Sequence, residues 1–141
     1  MKVLLIDDSG TVLGMMKALL EQVGYQVEGA GDGTRGLEAV GTFEPDVVVC
    51  DLRMPGMSGL DVVRAIRDLS ATLPVIIFTE QSEIPRAVEA MREGAHGYIV
   101  KGAPMDVLVS EIEAAHAQRL RMERKIQLDQ DRIRQRMLED D

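Results

Sequence analysis

Val47-Val48-Val49-Cys50-Asp51, about a third of the way along the chain, is a run of apolar, mostly β-branched residues that stops on a carboxylate. Three other runs are built the same way. Val3-Leu4-Leu5-Ile6 ends in Asp7-Asp8, Val75-Ile76-Ile77-Phe78 ends in Thr79, and Tyr98-Ile99-Val100 ends in Lys101. Short, continuously apolar runs separated by helical patterns read as strands buried on both faces of a parallel sheet. Ligands of an open parallel sheet sit outside the carboxyl ends of its strands. Three carboxylates, a hydroxyl and an ammonium group are therefore expected in one crevice. Each alone is an ordinary loop residue, since loops are polar; their repetition at strand ends marks a chemical site.

Reading outward gives five strand–helix units. The strands are Lys2–Ile6, a weaker and more polar Tyr25–Gly29 nearer an edge, a central Asp46–Cys50, Leu73–Phe78 and Gly97–Val100. The first helix runs Thr11–Val23 and is closed by Gly24, and the second runs Thr34–Phe43 after the Asp32-Gly33 turn. Ser58 caps the third, Leu60–Leu69. Ser82 is expected to cap a fourth that reaches Glu93 with Pro85 in its first turn, and Pro104 opens the last. Short alternating connections imply right-handed crossovers and a doubly wound α/β fold, a five-stranded parallel sheet in a three-layer sandwich.

Composition fits one such domain with an extension. The chain has 141 residues, 45% of them hydrophobic, with nine Met, two Phe, two Tyr and no Trp, so aliphatic residues and Met fill the core. Cys50 stands alone, which excludes an internal disulfide and agrees with a reducing compartment. Met1-Lys2 leads straight into a strand without a signal peptide's apolar stretch, and no run approaches a membrane span. The expectation is a cytoplasmic protein with no membrane partner. Residues 1–116 hold 9 Lys and Arg against 18 Asp and Glu, whereas residues 117–141 hold 7 against 6. So acidic a body argues against binding a phosphate backbone, and no direct nucleic-acid partner is expected.

The residue types at the strand ends indicate the chemistry. Asp7, Asp8 and Asp51, brought together ionised, repel one another. A hard divalent cation with oxygen ligands relieves that repulsion; Mg²⁺ suits one or two carboxylates with waters and a phosphoryl oxygen. Asp51 is then a candidate nucleophile for aspartyl-phosphate formation. Lys101 offers a point charge, and Thr79 a hydroxyl, to phosphoryl oxygens.

Asp7-Asp8, then Asp51 followed by Met54-Pro55-Gly56-Met57-Ser58-Gly59, then Thr79, then Gly94-Ala95-His96-Gly97-Tyr98-Ile99-Val100-Lys101 form an ordered set. It resembles the response-regulator receiver domain of two-component signal transduction, with a flavodoxin-like, chemotaxis-regulator-like (βα)5 fold over residues 1–116. The resemblance implies that Asp51 is the phosphoacceptor for a histidine kinase or histidine phosphotransfer protein. It implies Mg²⁺ held by Asp8, Asp51 and the backbone carbonyl of Arg53, with Asp7 acting through water. Thr79 and Lys101 would contact the phosphoryl group. Tyr98 would turn inward as Thr79 moves, changing the face formed by the fourth helix, fifth strand and fifth helix. Such a domain catalyses only its own phosphorylation and dephosphorylation and is not a conventional enzyme. The alternative is a phosphorelay intermediate or an Mg²⁺-dependent aspartyl-phosphate phosphohydrolase that turns phosphate over instead of switching.

Two departures stand beside the site. Glu80 follows Thr79, where most receivers carry a small residue, so its carboxylate is expected to modulate phosphorylation or dephosphorylation. Lys101 is followed by Gly102-Ala103-Pro104 and not directly by proline. Other residues read as structural: Cys50 as core facing away from Asp51, His96 as an exposed turn residue, and Met15, Met16 and Met91 as core filler. His116 lacks a phosphoacceptor context, and Gly29, Gly31 and Gly33 lack dinucleotide-fingerprint spacing.

From Met105 to Met137 there is no Gly or Pro. That helix is longer than covering a sheet requires. Leu108, Ile112, Ala115, Met122, Ile126 and Ile133 fit an a/d seam interrupted by Arg119, Asp129 and Arg136. Residues 117–141 are thus expected to form a helical extension, either a coiled-coil linker to an output module or a homodimerisation helix.

Overall fold

The computed structural model describes residues 1–140, so Asp141, the last residue of the expected extension, lies outside the described residues. Five strands, β1 Lys2–Ile6, β2 Gln26–Ala30, β3 Val47–Asp51, β4 Val75–Thr79 and β5 Gly97–Val100, form one parallel sheet in the order β2-β1-β3-β4-β5. They alternate with the helices α1 Gly10–Val23, α2 Gly33–Phe43, α3 Gly59–Leu69, α4 Ile84–Arg92 and α5 Met105–Glu139. The expected doubly wound sandwich is therefore present, with the weaker second strand at an edge and β3 in the middle. Among the described residues no helix is long and apolar enough to cross a membrane.

Strand alternation divides the core into two. Leu4, Ile6, Val48, Cys50, Val75 and Ile77 point to one face and pack with Ala39, Val62, Val63, Ile66, Ala87 and Ala90 of α2, α3 and α4. Val3, Leu5, Val47, Val49, Ile76 and Ile99 point to the other and meet Met16 and Leu20 of α1 and Leu108, Ile112 and Ala115 of α5. Each fully buried aliphatic side chain contributes about 1.5–3 kcal/mol.

The helix starts are set locally. Ser9 and Asp32 accept from the third residue on, and Gly24 ends α1 in the left-handed region at φ 106°. Ser58 and Asp61 form a capping box at α3. The Ser58 N–H and hydroxyl, both bonded to Asp61, hold its carboxyl below the ordinary carboxylate range. A lowered folded value makes the contribution full above about pH 4 and lost as pH falls through the lowered value. Asp61→Asn is accordingly expected to lower the thermal midpoint at neutral pH, with the gap to the parent closing on acidification; a gap independent of pH would exclude the ionised cap.

The structure corrects three local expectations. Ser82 does not cap the fourth helix: a 3₁₀ turn, Gln81–Glu83, intervenes, and Glu83 occupies the cap position without a side-chain bond. His96 is mostly covered, not exposed, because Glu111 of α5 comes over it, with Nε2 to Oε1 at 3.4 Å. Met16 is core, but Met15 and Met91 face solvent on the outer sides of α1 and α4.

Helix α5 is continuous for 35 residues. Its inner stripe, Leu108, Ile112 and Ala115, is buried against the sheet, whereas Met122, Ile126, Ile133 and Met137 continue outward exposed. The expected seam is therefore divided between intramolecular and unpartnered stretches. The helix is tied down at the sheet's amino-terminal pole. Arg119 Nη1 donates to the carbonyls of Pro45 and Asp46, and Thr72 Oγ1 donates to Glu123.

Candidate phosphoryl-transfer site

Backbone pairing places the polar residues together. Asp51 is the last residue of β3, in register with Phe78, and Leu52 N–H donates to the Phe78 carbonyl at 3.2 Å. Asp7 follows β1 directly and its N–H donates to Ala30 O at 3.1 Å. Lys101 N–H donates to Thr79 O at 2.8 Å, joining the ends of β4 and β5. Cys50 points into the core on the opposite face from Asp51, as strand alternation requires.

Carboxylate oxygens of Asp7, Asp8 and Asp51 lie within 4.8 Å of one another. Asp7 and Asp51 are buried and Asp8 is exposed. One Asp7 oxygen is used locally, accepting from Ser9 N–H at 2.9 Å. Lys101 Nζ lies 3.1 Å from Asp51 Oδ1 and 4.0 Å from Glu80 Oε1. Thr79 is fully buried and its hydroxyl donates to the Glu80 carbonyl at 3.1 Å. Asp7, Asp8, Asp51 and Lys101 thus converge, and Thr79 joins them through its backbone carbonyl, which accepts from Lys101 N–H. Tyr98, two residues before the end of β5, is turned outward and 37% exposed.

The electrostatics are unbalanced. Burial raises the Asp51 pKa, and the charge of Asp7 raises it further, against the hydrogen bonds from Lys101 and from the Arg53 N–H. Burial acts to lower Lys101, but its bond to Asp51 and the charges of Asp51, Asp7 and Glu80 outweigh that and leave it raised. In a simple ion pair the carboxyl would be lowered. Here it is raised because one ammonium faces several carboxylates in a partly desolvated place. Burial likewise pushes the Cys50 thiol up, with Asp51 and Asp7 adding to it, so Cys50 is not a thiolate. Three converging carboxylate oxygens, one of them on a carboxyl disfavoured in its charged form, suit a hard divalent cation.

Sequence reasoning missed the charges on the next turn. Arg53 Nη1 reaches Glu83 Oε1 at 3.1 Å, and Arg86 Nε lies 3.8 Å from Glu83 Oε2. A helical expectation for residues 82–93 does not place Glu83 beside the Asp51 loop; the 3₁₀ turn does.

The response regulator receiver domain family matches residues 3–113. The chemotaxis protein CheY of Pseudomonas aeruginosa is 36% identical over 116 residues, covering 80% of this chain and 94% of CheY. The transcriptional regulatory protein ZraR of Escherichia coli is 36% identical over 115 residues, 82% of this chain but only 26% of ZraR. The chain spans about a quarter of the length of the longer regulatory proteins it matches, 23% for the regulatory protein LuxO of Vibrio cholerae and 27% for the DNA-binding transcriptional regulator NtrC of Escherichia coli. Among solved structures, a response regulator receiver domain protein from Clostridium thermocellum superposes with a TM-score of 0.82 at 35% identity, covering 86% of this chain and 98% of that one. The phosphohydrolase alternative finds no support in these relatives.

Proposed function

The chain belongs to the response regulator receiver domain family of two-component signalling, and on that premise we propose that Asp51 accepts a phosphoryl group from a histidine kinase or histidine phosphotransfer protein. The observation that carries this reading is a buried carboxylate at the end of the central strand, 3.1 Å from Lys101 and clustered with Asp7 and Asp8. An Asp51 oxygen attacks phosphorus as the bond to the donor nitrogen breaks, and the imidazole leaves with the electron pair. The three clustered carboxylates fit Mg²⁺; Asp8, Asp51 and the Arg53 carbonyl would hold it, and Asp7 would act through water. Bound there, the ion would neutralise charge between acceptor and donor.

Lys101 is placed to pass from the carboxylate to a phosphoryl oxygen. The Thr79 hydroxyl, bonded to the adjacent Glu80 carbonyl, can rotate to another. Phosphorylation brings about −1.5 to −2 charges and three acceptors. Movement of Thr79 frees space for Tyr98 and biases the face formed by α4, β5 and α5. Glu80, beside Lys101, modulates the rates. Residues 1–116 act as the receiver body, and residues 117–141 as a helical extension, coiled-coil in character, that carries the output to another domain or to a second copy. A cytoplasmic location suits this role.

The test is incubation with acetyl phosphate and Mg²⁺, followed by intact-mass analysis and peptide mapping. One phosphoryl group on Asp51 is expected, and a chain left unmodified would overturn the reading. Asp8 is exposed, so Asp8→Ala should fold normally yet require at least tenfold more Mg²⁺ for the same rate; an unchanged requirement would remove Asp8 from the ligand set. Outward Ile126 and Ile133 test the extension. Ile126→Glu with Ile133→Glu should turn a dimer into a monomer in sedimentation velocity, while a parent monomeric at high concentration would leave the helix to an output partner. Helices in proteins are stabilised mainly by packing an apolar face, and the exposed Met122, Ile126, Ile133 and Met137 of α5 offer such a face to a partner.

A further inference from the structure

Resting on the phosphoacceptor reading, we propose that Glu80 and Glu83 form an acidic clasp across the acceptor pocket, in which Glu83 is a positioning residue acting through Arg53. Both glutamates belong to one short segment following Thr79, and each reaches a cation flanking Asp51. Glu83 Oε1 is 3.1 Å from Arg53 Nη1 on the β3–α3 side, and Glu80 Oε1 is 4.0 Å from Lys101 Nζ on the β5 side. Both cations flank the acceptor. Lys101 pairs with the Asp51 carboxylate through its side chain, and Arg53 stands two residues after Asp51 in the loop that leaves β3. Five charged residues are thus arranged around the acceptor, Glu80 on Lys101 and Lys101 on Asp51 on one side and Glu83 on Arg53 on the other, with residues 80–83 linking the two glutamates.

Burial fixes which partner is anchored. The Glu83 side chain is 18% exposed and lies within 3.8 Å of Arg86 as well, whereas the Arg53 side chain is 69% exposed. The carboxylate is held by the start of α4, and the guanidinium is the mobile member. An incoming phosphodonor carries the same sign of charge as the clasp and competes for the same two cations. Its arrival draws Lys101 and Arg53 toward the phosphoryl oxygens and releases Glu80 and Glu83. The clasp therefore slows phosphoryl entry. Its opening loosens the 3₁₀ turn and the first turn of α4, a route to that helix separate from Thr79 and Tyr98. Exposed pairs are individually weak, so the effect on rate is modest.

The experiment uses the full chain with acetyl phosphate and Mg²⁺ and measures the initial rate of phosphoryl uptake. Glu83→Gln is expected to raise the rate about threefold, and Glu80→Gln with Glu83→Gln about tenfold, in keeping with surface ion pairs. Glu89→Gln, the same charge loss at an exposed position of α4, should leave it unchanged. In an Arg53→Gln background the Glu83→Gln effect should vanish, because positioning through Arg53 requires that guanidinium. A Glu89 effect equal to that of Glu83, a rate that does not rise, or a Glu83 effect persisting without Arg53 would overturn the clasp. Amide hydrogen exchange of the unphosphorylated protein decides independently. Residues 52–58 and 81–86 should exchange faster in Glu83→Gln than in Glu89→Gln, and equal exchange refutes the clasp. A parent that takes up no phosphate would count against the receiver reading, while exchange would still decide the clasp.

Discussion

Asp51→Asn is expected to abolish phosphoryl uptake, by at least a hundredfold, without unfolding the protein. Asn keeps the shape of the acceptor but has no carboxylate oxygen for attack on phosphorus. The fold should not suffer, because the ionised Asp51 is electrostatically disfavoured: burial and Asp7 raise its pKa despite Lys101. Removing that charge leaves Lys101 near Asp7 and Glu80 and relieves the crowding among the carboxylates. The thermal midpoint should equal or exceed that of the parent in the absence of metal. Residual uptake mapped to another side chain would displace Asp51 as acceptor. A midpoint many degrees lower would mean that the Asp51–Lys101 contact is structural in the main.

The second large effect is expected at Gly59, the first residue of α3. A Cβ built there would lie 2.5 Å from the Asp51 carbonyl oxygen and 2.8 Å from Leu52 Cα. Both are backbone atoms at the turn that aims the acceptor, and Gly59 N–H itself donates to Leu52 O at 2.9 Å. Neither atom can swing aside. Gly59→Ala should therefore cost about 3 kcal/mol, lower the thermal midpoint by roughly 10 °C, and reduce phosphoryl uptake at least tenfold in the protein that remains folded. Gly97→Ala is the matched control. Its Cβ would meet Glu111 Oε1 at 2.6 Å, but that is the end of a flexible side chain. The cost there should stay below about 1 kcal/mol. Equal losses at the two positions, measured by thermal and urea unfolding, would show that backbone proximity at Gly59 is not the cause.

These two sites differ in how they could be read. Asp51 stands out because an apolar run stops on it, a local signal any buried parallel strand gives. Gly59 ends the Met54–Gly59 stretch that carries the resemblance, but nothing in that stretch says why the position must be glycine. Its importance comes from α3 starting against the strand end that precedes it. The same contrast holds for charge. Lys101 and Asp51 were legible as strand-end residues, whereas Arg53 and Glu83 meet across 30 positions and only through an unforeseen 3₁₀ turn. His96 was misread for the same reason: a turn residue is exposed until a distant helix covers it, and Glu111 of α5 does so.

The sequence by itself determined the strand set, the alternation with helices, the caps at Ser58 and Gly24, and the meeting of Asp7, Asp8, Asp51 and Lys101. Those follow from periodicity and from the rule that parallel strands bring their carboxyl ends to one edge. Only the tertiary structure decided which side of each helix is covered. It turned Met15 out and Met16 in, split the apolar stripe of α5 into a buried and an open half, and set Glu83 against Arg53. Such pairings depend on the angle and depth at which elements dock, a property of the whole packed assembly that no local run of residues carries.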